Sequence, residues 1–162
     1  MLTAIQNNAL QNTRLDEISF PATLTSIGEY AFESTRIKEA ILPDAVTSVG
    51  RDAFANNRQL KNVKWSPNAT TIPIRCFYDD QVIRSFDMPD EVTVIGDYAF
   101  CQNYQSSHRL PASLKSIGHR AFYDSRFSET MVIPDNTSIG EYAFSYCNNL
   151  KYITIGEGIS YD

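Results

Sequence analysis

One short motif recurs along almost the whole chain, and that recurrence restricts the fold more than any other feature. The dipeptide Ala-Phe occurs as Ala31-Phe32, Ala53-Phe54, Ala99-Phe100, Ala121-Phe122 and Ala143-Phe144, and Cys76-Phe77 fills the gap. Ala9-Leu10 holds the same place one unit earlier, and the steps from Leu10 to Phe144 are 22, 22, 23, 23, 22 and 22 residues. Four residues ahead of each Phe stands Gly28, Gly50, Gly96, Gly118 or Gly140, replaced once by Pro73. Pro21, Pro43, Pro89, Pro111 and Pro134 open most units, with Ser66 and Gly156 in the same register. Residues 21–155 therefore read as six repeats, 1–20 as a partial N-terminal repeat, and 156–162 as the start of a further repeat or a tail. The whole of 1–162 reads as one domain. A unit of this size cannot bury its own apolar face, so units must stack.

One unit, Val46 to Ser66, shows how. Val46-Thr-Ser-Val49 alternates apolar and polar and predicts a short strand with both valines near the core. Gly50 is expected to supply a turn through backbone angles that a side chain forbids. Phe54 is placed inside, and the small Ala53 permits close backbone approach. Leu60-Lys-Asn-Val63-Lys-Trp65 predicts a second strand, with Val63 and Trp65 inward and Asn62 and Lys64 outward. Stacked about 4.8 Å apart, such units give parallel ladders and a continuous core. Phe32, Phe54, Phe77, Phe100, Phe122 and Phe144 then form one column. In the third unit Ser66, Ala69, Pro73 and Cys76 replace the usual residues, so a local irregularity is expected there and not a break.

Segments such as Leu42 to Phe54 and Ala143 to Leu150 resemble BspA-like leucine-rich repeats, because the Pro, Ile-Gly, Ala-Phe, Cys/Asn and Leu-x-x-Ile-x-Ile positions recur together. The resemblance covers nearly the whole chain. It implies a mainly β, curved leucine-rich-repeat solenoid with short parallel strands and little helix. It also implies a non-catalytic protein-binding module, often adhesive, at a cell surface or secreted.

Composition narrows the partner. With 14 Lys+Arg against 19 Asp+Glu the formal charge is −5, which argues against nucleic acid. No apolar run is long enough for a membrane span. The opening residues lack the blocks of a signal peptide, so localisation is unknown from the chain itself. No hydrolase, zinc-protease, Walker or dinucleotide motif occurs, so no catalytic residue, cofactor or metal site is expected. Cys76 and Cys147 read as small core residues, whereas Cys101 reads as a candidate exposed, reactive thiol. His108 falls at an inward strand position, and His119 falls on a surface turn.

Two surfaces remain as binding candidates. The concave sheet is expected to display Ile41, Asn62, Lys64, Ser85, Asp87, Ser107, Arg109, Thr130, Val132 and Tyr152 to a protein, glycoprotein or cell-surface ligand, because curvature creates an extended docking surface. A secondary basic edge follows from Arg14, Arg36 and Arg58, each four residues after the Phe position. Stacked arginines repel unless paired. The nearby Asp16, Glu33 and Glu39 are the expected intramolecular partners, and an anion or acidic-protein site is the alternative. Both ends of the chain fall within units. That suggests a fragment of a longer array, or an intracellular scaffold or assembly domain that self-associates through its uncapped ends.

Overall fold

Each repeat forms one turn of a parallel β-solenoid of about seven turns. The computed structural model describes residues 1–104, 109–126 and 129–161, and among these there are strands but no helix. A turn has three parts: a two-residue strand, a stack of tight turns carrying Ala-Phe, and a strand of three or four residues. The short strands are β1 (Ala4–Ile5), β2 (Ser26–Ile27), β4 (Ser48–Val49), β6 (Thr71–Ile72), β8 (Val94–Ile95), β9 (Ser116–Ile117), β11 (Ser138–Ile139) and β13 (Ser160–Tyr161). The longer ones are β3 (Glu39–Ile41), β5 (Asn62–Lys64), β7 (Ser85–Asp87), β10 (Thr130–Ile133) and β12 (Tyr152–Ile155). Every pairing is parallel and joins like positions of neighbouring repeats.

The expected aromatic column is present. Successive rings from Phe32 to Phe144 stack with centroids 5.4, 5.7, 5.4, 5.3 and 5.4 Å apart. Phe32, Phe54, Phe77, Phe100 and Phe122 are wholly buried. Trp65 and Phe86 lean edge-on against Phe77 at 5.8 and 5.2 Å and tie the long-strand sheet to the column.

Two expectations from the sequence need correction. Val46 is buried but lies outside any strand, its N–H bonded at 3.0 Å to Pro43 O in a turn, because only Ser48 and Val49 pair with the preceding repeat. Gly50 does not adopt a left-handed conformation. It is needed for proximity: a Cβ there would lie 2.4 Å from the backbone nitrogen of Glu29. The left-handed angles fall instead on non-glycine residues two before and two after each Phe, such as Tyr30 and Ser34 or Asp52 and Asn56. These angles aim alternate N–H groups at the next turn. Tyr30, Phe32 and Ser34 donate to Arg51, Ala53 and Ala55 O at 3.0, 2.8 and 2.9 Å. The same three-bond ladder runs on to Arg120, Phe122 and Asp124. Interturn hydrogen bonding offsets the strain of αL side chains.

The short-strand ladder is interrupted. The short-strand sheet stops between β4 and β6, where Pro73 stands in the place of the glycines whose N–H bonds the preceding repeat, as Gly50 N does to Ile27 O at 2.8 Å. The third unit is thus a break in one sheet, while the core and the turn stack pass through it. Side chains hold it: Ser66 Oγ donates to Val46 O at 2.7 Å, Asn68 Nδ2 to Asp44 O at 2.7 Å, and Trp65 Nε1 to Ala69 O at 2.7 Å. The described long strands pair as β3-β5-β7 and as β10-β12, and most of the strand position of the repeat between them lies outside the described residues.

Candidate protein-interaction face

The long strands alternate, so one side feeds the core and the other faces solvent. Ala40, Val63 and Phe86 align inward, as do Met131 and Ile153. Outward, Asn62 aligns with Ser85 and with Glu39, while Ile41, Lys64 and Asp87 form a second lane. In the other half Thr130 aligns with Tyr152, and Val132 with Thr154. Eight of the ten residues expected on this face are therefore brought into two strips of outward lanes. Arg109 lies outside any strand and is ion-paired with Asp90, and Ser107 and His108 lie outside the described residues.

The exposed side chains on this face are chemically mixed. Ile41, beside Lys64 and Asp87, is 49% exposed, and Val132 and Tyr152 in the other strip are 63% and 68% exposed. Ile153, expected inward, is also half exposed, because no described turn lies over β12. At the other border, Glu17 and Ser19 belong to no strand. A shallow cleft of about 420 Å³ opens there, lined by Asp16, Glu17, Ile18, Lys38 and Glu39.

Beneath the turn stack runs a buried polar column that supports the face: Thr35, Asn57, Asp80, Asn103, Ser125 and Cys147. Asn57 uses its whole side-chain inventory. Its Nδ2 donates to Phe32 O and Phe54 O at 2.8 and 2.6 Å, and its Oδ1 accepts from Thr35 N and Oγ1 at 2.9 and 2.6 Å. Asp80 repeats half of this. Its Oδ1 accepts from Asn57 N, while Oδ2 has no partner. Burial pushes its carboxyl well above the usual carboxylate range.

The cysteines are all packed. Cys76 is buried in the alanine position, and the Cys147 Sγ donates to Phe122 O at 3.0 Å in the polar column. Cys101, expected to be reactive, is only 4% exposed, and burial pushes its thiol up to about 11. Its burial was not revealed by its place beside a core Phe. Its thiolate population at neutral pH is therefore small. Among the described residues no His, Cys, Asp and Glu side chains group as metal ligands, and no helix is long and apolar enough to cross a membrane.

The arginines of the expected basic edge are not ion-paired as expected. Asp16, Glu33 and Glu39 form no ion pair with Arg14, Arg36 or Arg58. Arg58 pairs with Asp79 at 2.9 Å, and Glu33 accepts from Gln11 and Asn56. Sequence reasoning also missed a second basic lane, Lys38, Lys61 and Arg84, although the regular 23-residue spacing marks it. An aromatic cluster was missed as well. Arg120 lies over the Tyr98, Tyr123 and Tyr142 rings at 5.9, 5.1 and 5.2 Å, and no spacing rule announces it.

A model of the BspA type Leucine rich repeat region matches the chain in six copies, across residues 1–105 and 70–161. A leucine-rich repeat protein from Bacteroides ovatus superposes with a TM-score of 0.67 at 20% identity, over 99% of this chain and 54% of its own. One from Eubacterium ventriosum gives 0.60 at 22% identity, over 95% and 45%. A leucine rich cell surface protein from Faecalibacterium prausnitzii gives 0.50 at 16%, over 95% and 57%. The chain thus spans about half the length of these solved proteins, and the likeness concerns the fold. No curated protein matches it in sequence.

Proposed function

We propose a function from one premise: this chain belongs to the BspA-type leucine-rich repeat family. Leucine-rich repeats are generally protein-interaction modules, and the family is typically non-catalytic. The reading that fits the geometry best is a protein-binding module that docks its ligand on the outward lanes of the long strands, at a cell surface. The observation that carries it is the contrast within β3, β5, β7, β10 and β12. Their inward residues fill one repeated core, while the outward ones change from apolar to basic to acidic between turns. A uniform scaffold with interchangeable exterior positions is how solenoids present a binding surface. The surface location is supported by the Faecalibacterium neighbour, which is described as a cell surface protein.

The test is affinity capture from host-cell surface extracts with the native chain, with Lys64→Glu/Asp87→Lys, and with Ile41→Asp/Val132→Asp. Either double substitution is expected to lose the captured protein while the thermal melt stays in place. Equal capture by all three chains would remove the face from consideration.

A further inference from the structure

The second basic lane converts the edge into a strip. Lys61 N donates to Lys38 O, and Arg84 N donates to Lys61 O, both at 2.8 Å, so these three residues sit on directly bonded neighbouring turns. Beside them run Arg14, Arg36 and Arg58, and all six are exposed. The strip crosses four turns, about 14 Å at the ladder spacing.

Its cations are treated differently from the rest. Of the other eight in the chain, Arg51, Arg75, Arg109 and Lys151 are ion-paired and Arg120 and Arg126 lie over tyrosine rings, leaving Lys64 and Lys115. Within the strip, and among the described residues, only Arg58 has such a partner, Asp79. Of the acids nearest by sequence, Glu39 is engaged by Asn62 Nδ2 at 2.8 Å and Glu33 by Gln11, while Asp16 and Glu17 line a cleft with Lys38 at one end of the strip without an ion pair to it. Five unpaired like charges at about 5 Å spacing repel one another. An acidic chain of 19 Asp+Glu gathers five such cations on this edge.

We infer that this strip binds a short acidic run of a partner polypeptide. An extended run of about four or five residues covers 14 Å. The dimensions disfavour a long polyanion: Glu39 and Asp87 border the strip, and the molecule's net negative charge repels an anionic polymer that extends beyond it. A partner with its carboxylates confined to the strip meets no such repulsion. The strip lies outside the outward strand lanes, so its binding is separable from capture by that face.

The experiment is fluorescence anisotropy with a labelled peptide carrying about five consecutive Glu, the length that matches the strip. Its Gln counterpart and a heparin fragment serve as the second and third probes. The Glu peptide is expected to bind, to weaken about tenfold or more as salt rises from about 0.05 to 0.3 M, and to lose at least about tenfold in Arg36→Glu/Lys61→Glu. The milder Arg36→Gln/Lys61→Gln falls between, with unchanged melting for both. Lys115→Glu/Lys151→Glu, an identical charge change off the strip, is expected to stay within about twofold. Absence of Glu-peptide binding overturns the proposal. So does equal binding by the Arg36→Glu/Lys61→Glu chain, or heparin binding that those substitutions abolish while the peptide fails to bind.

Discussion

The turn stack and the strand ladders run side by side through the same repeats, yet only one of them is continuous. Three interturn backbone bonds, a Phe ring and a buried polar side chain recur through the turns. The short-strand sheet, by contrast, parts between β4 and β6. The solenoid therefore hangs on its turns. The strands follow, which leaves their outward residues free to vary. If that division is right, damage to the turn side costs far more than damage to the strand side.

The largest effect is expected at Phe77. It stacks on Phe54 and Phe100 and meets Trp65 and Phe86. Phe77→Ala should cost about 3–5 kcal/mol in urea unfolding. A loss under about 1 kcal/mol would mean that the column is not the spine. Asn57→Ala comes next. It orphans Phe32 O, Phe54 O and Thr35 N, each worth about 1–3 kcal/mol when buried and unsatisfied. Partial access of water to the hole brings the expected total to about 3 kcal/mol. Asn57→Ser, which keeps a hydroxyl as Ser125 does toward Phe100 O at 2.6 Å, should recover part of it.

Much of this spine was legible in the sequence, and the reasons are physical. A 22–23-residue period admits only stacking, and a Phe at every period must share one column. Trp65, Val63 and Cys76 likewise followed from alternation and size. The turn geometry was not legible. Its left-handed positions carry Tyr30, Arg75, Tyr98 and Arg120, residues that give no such signal. The glycines, which do signal, are there for close approach. The break at Pro73 was written in the sequence as a missing donor, but its weight depended on whether strands or turns carried the stack. The ion pairing of the basic edge was illegible because it depends on side-chain reach across turns: Arg58 reaches forward 21 residues to Asp79.

A third test reads the polar column by pH. Asp80 Oδ1 takes the place of Asn57 Oδ1 one turn on, so its Oδ2 takes the place of the amide that serves the Phe carbonyls. Only a protonated Oδ2 donates there. Its folded-state pKa is raised above the unfolded value near 3.8, so the folded state retains the proton more tightly. The stabilisation is complete below that value and is lost as pH rises toward the folded pKa, at up to about 1.4 kcal/mol per pH unit. Asp80→Asn supplies a permanent donor. Its advantage over the native chain in urea unfolding should be least near pH 4 and grow toward pH 7. Parallel curves would show that Asp80 is charged or solvated.

The smallest effect is expected on the strand side. Pro73→Gly returns an N–H to the position from which Gly50 and Gly96 bond the preceding repeat at 2.8 Å, and so allows β4 to pair with β6. Against the new bond, worth about 0.5–1.5 kcal/mol, stands the greater freedom that glycine gives the unfolded chain, about 0.4–1 kcal/mol. The two nearly cancel, and the net change should stay within about 1 kcal/mol. Amide exchange separates the terms: residue 73 should become protected, while the Phe54 and Phe77 amides, bonded to Cys76 and Ala99 O, keep their rates. If healing this sheet instead slowed exchange at Phe54 and Phe77 and stabilised the chain by several kcal/mol, the strands would share control of the stack. The division between turns and strands would then fail.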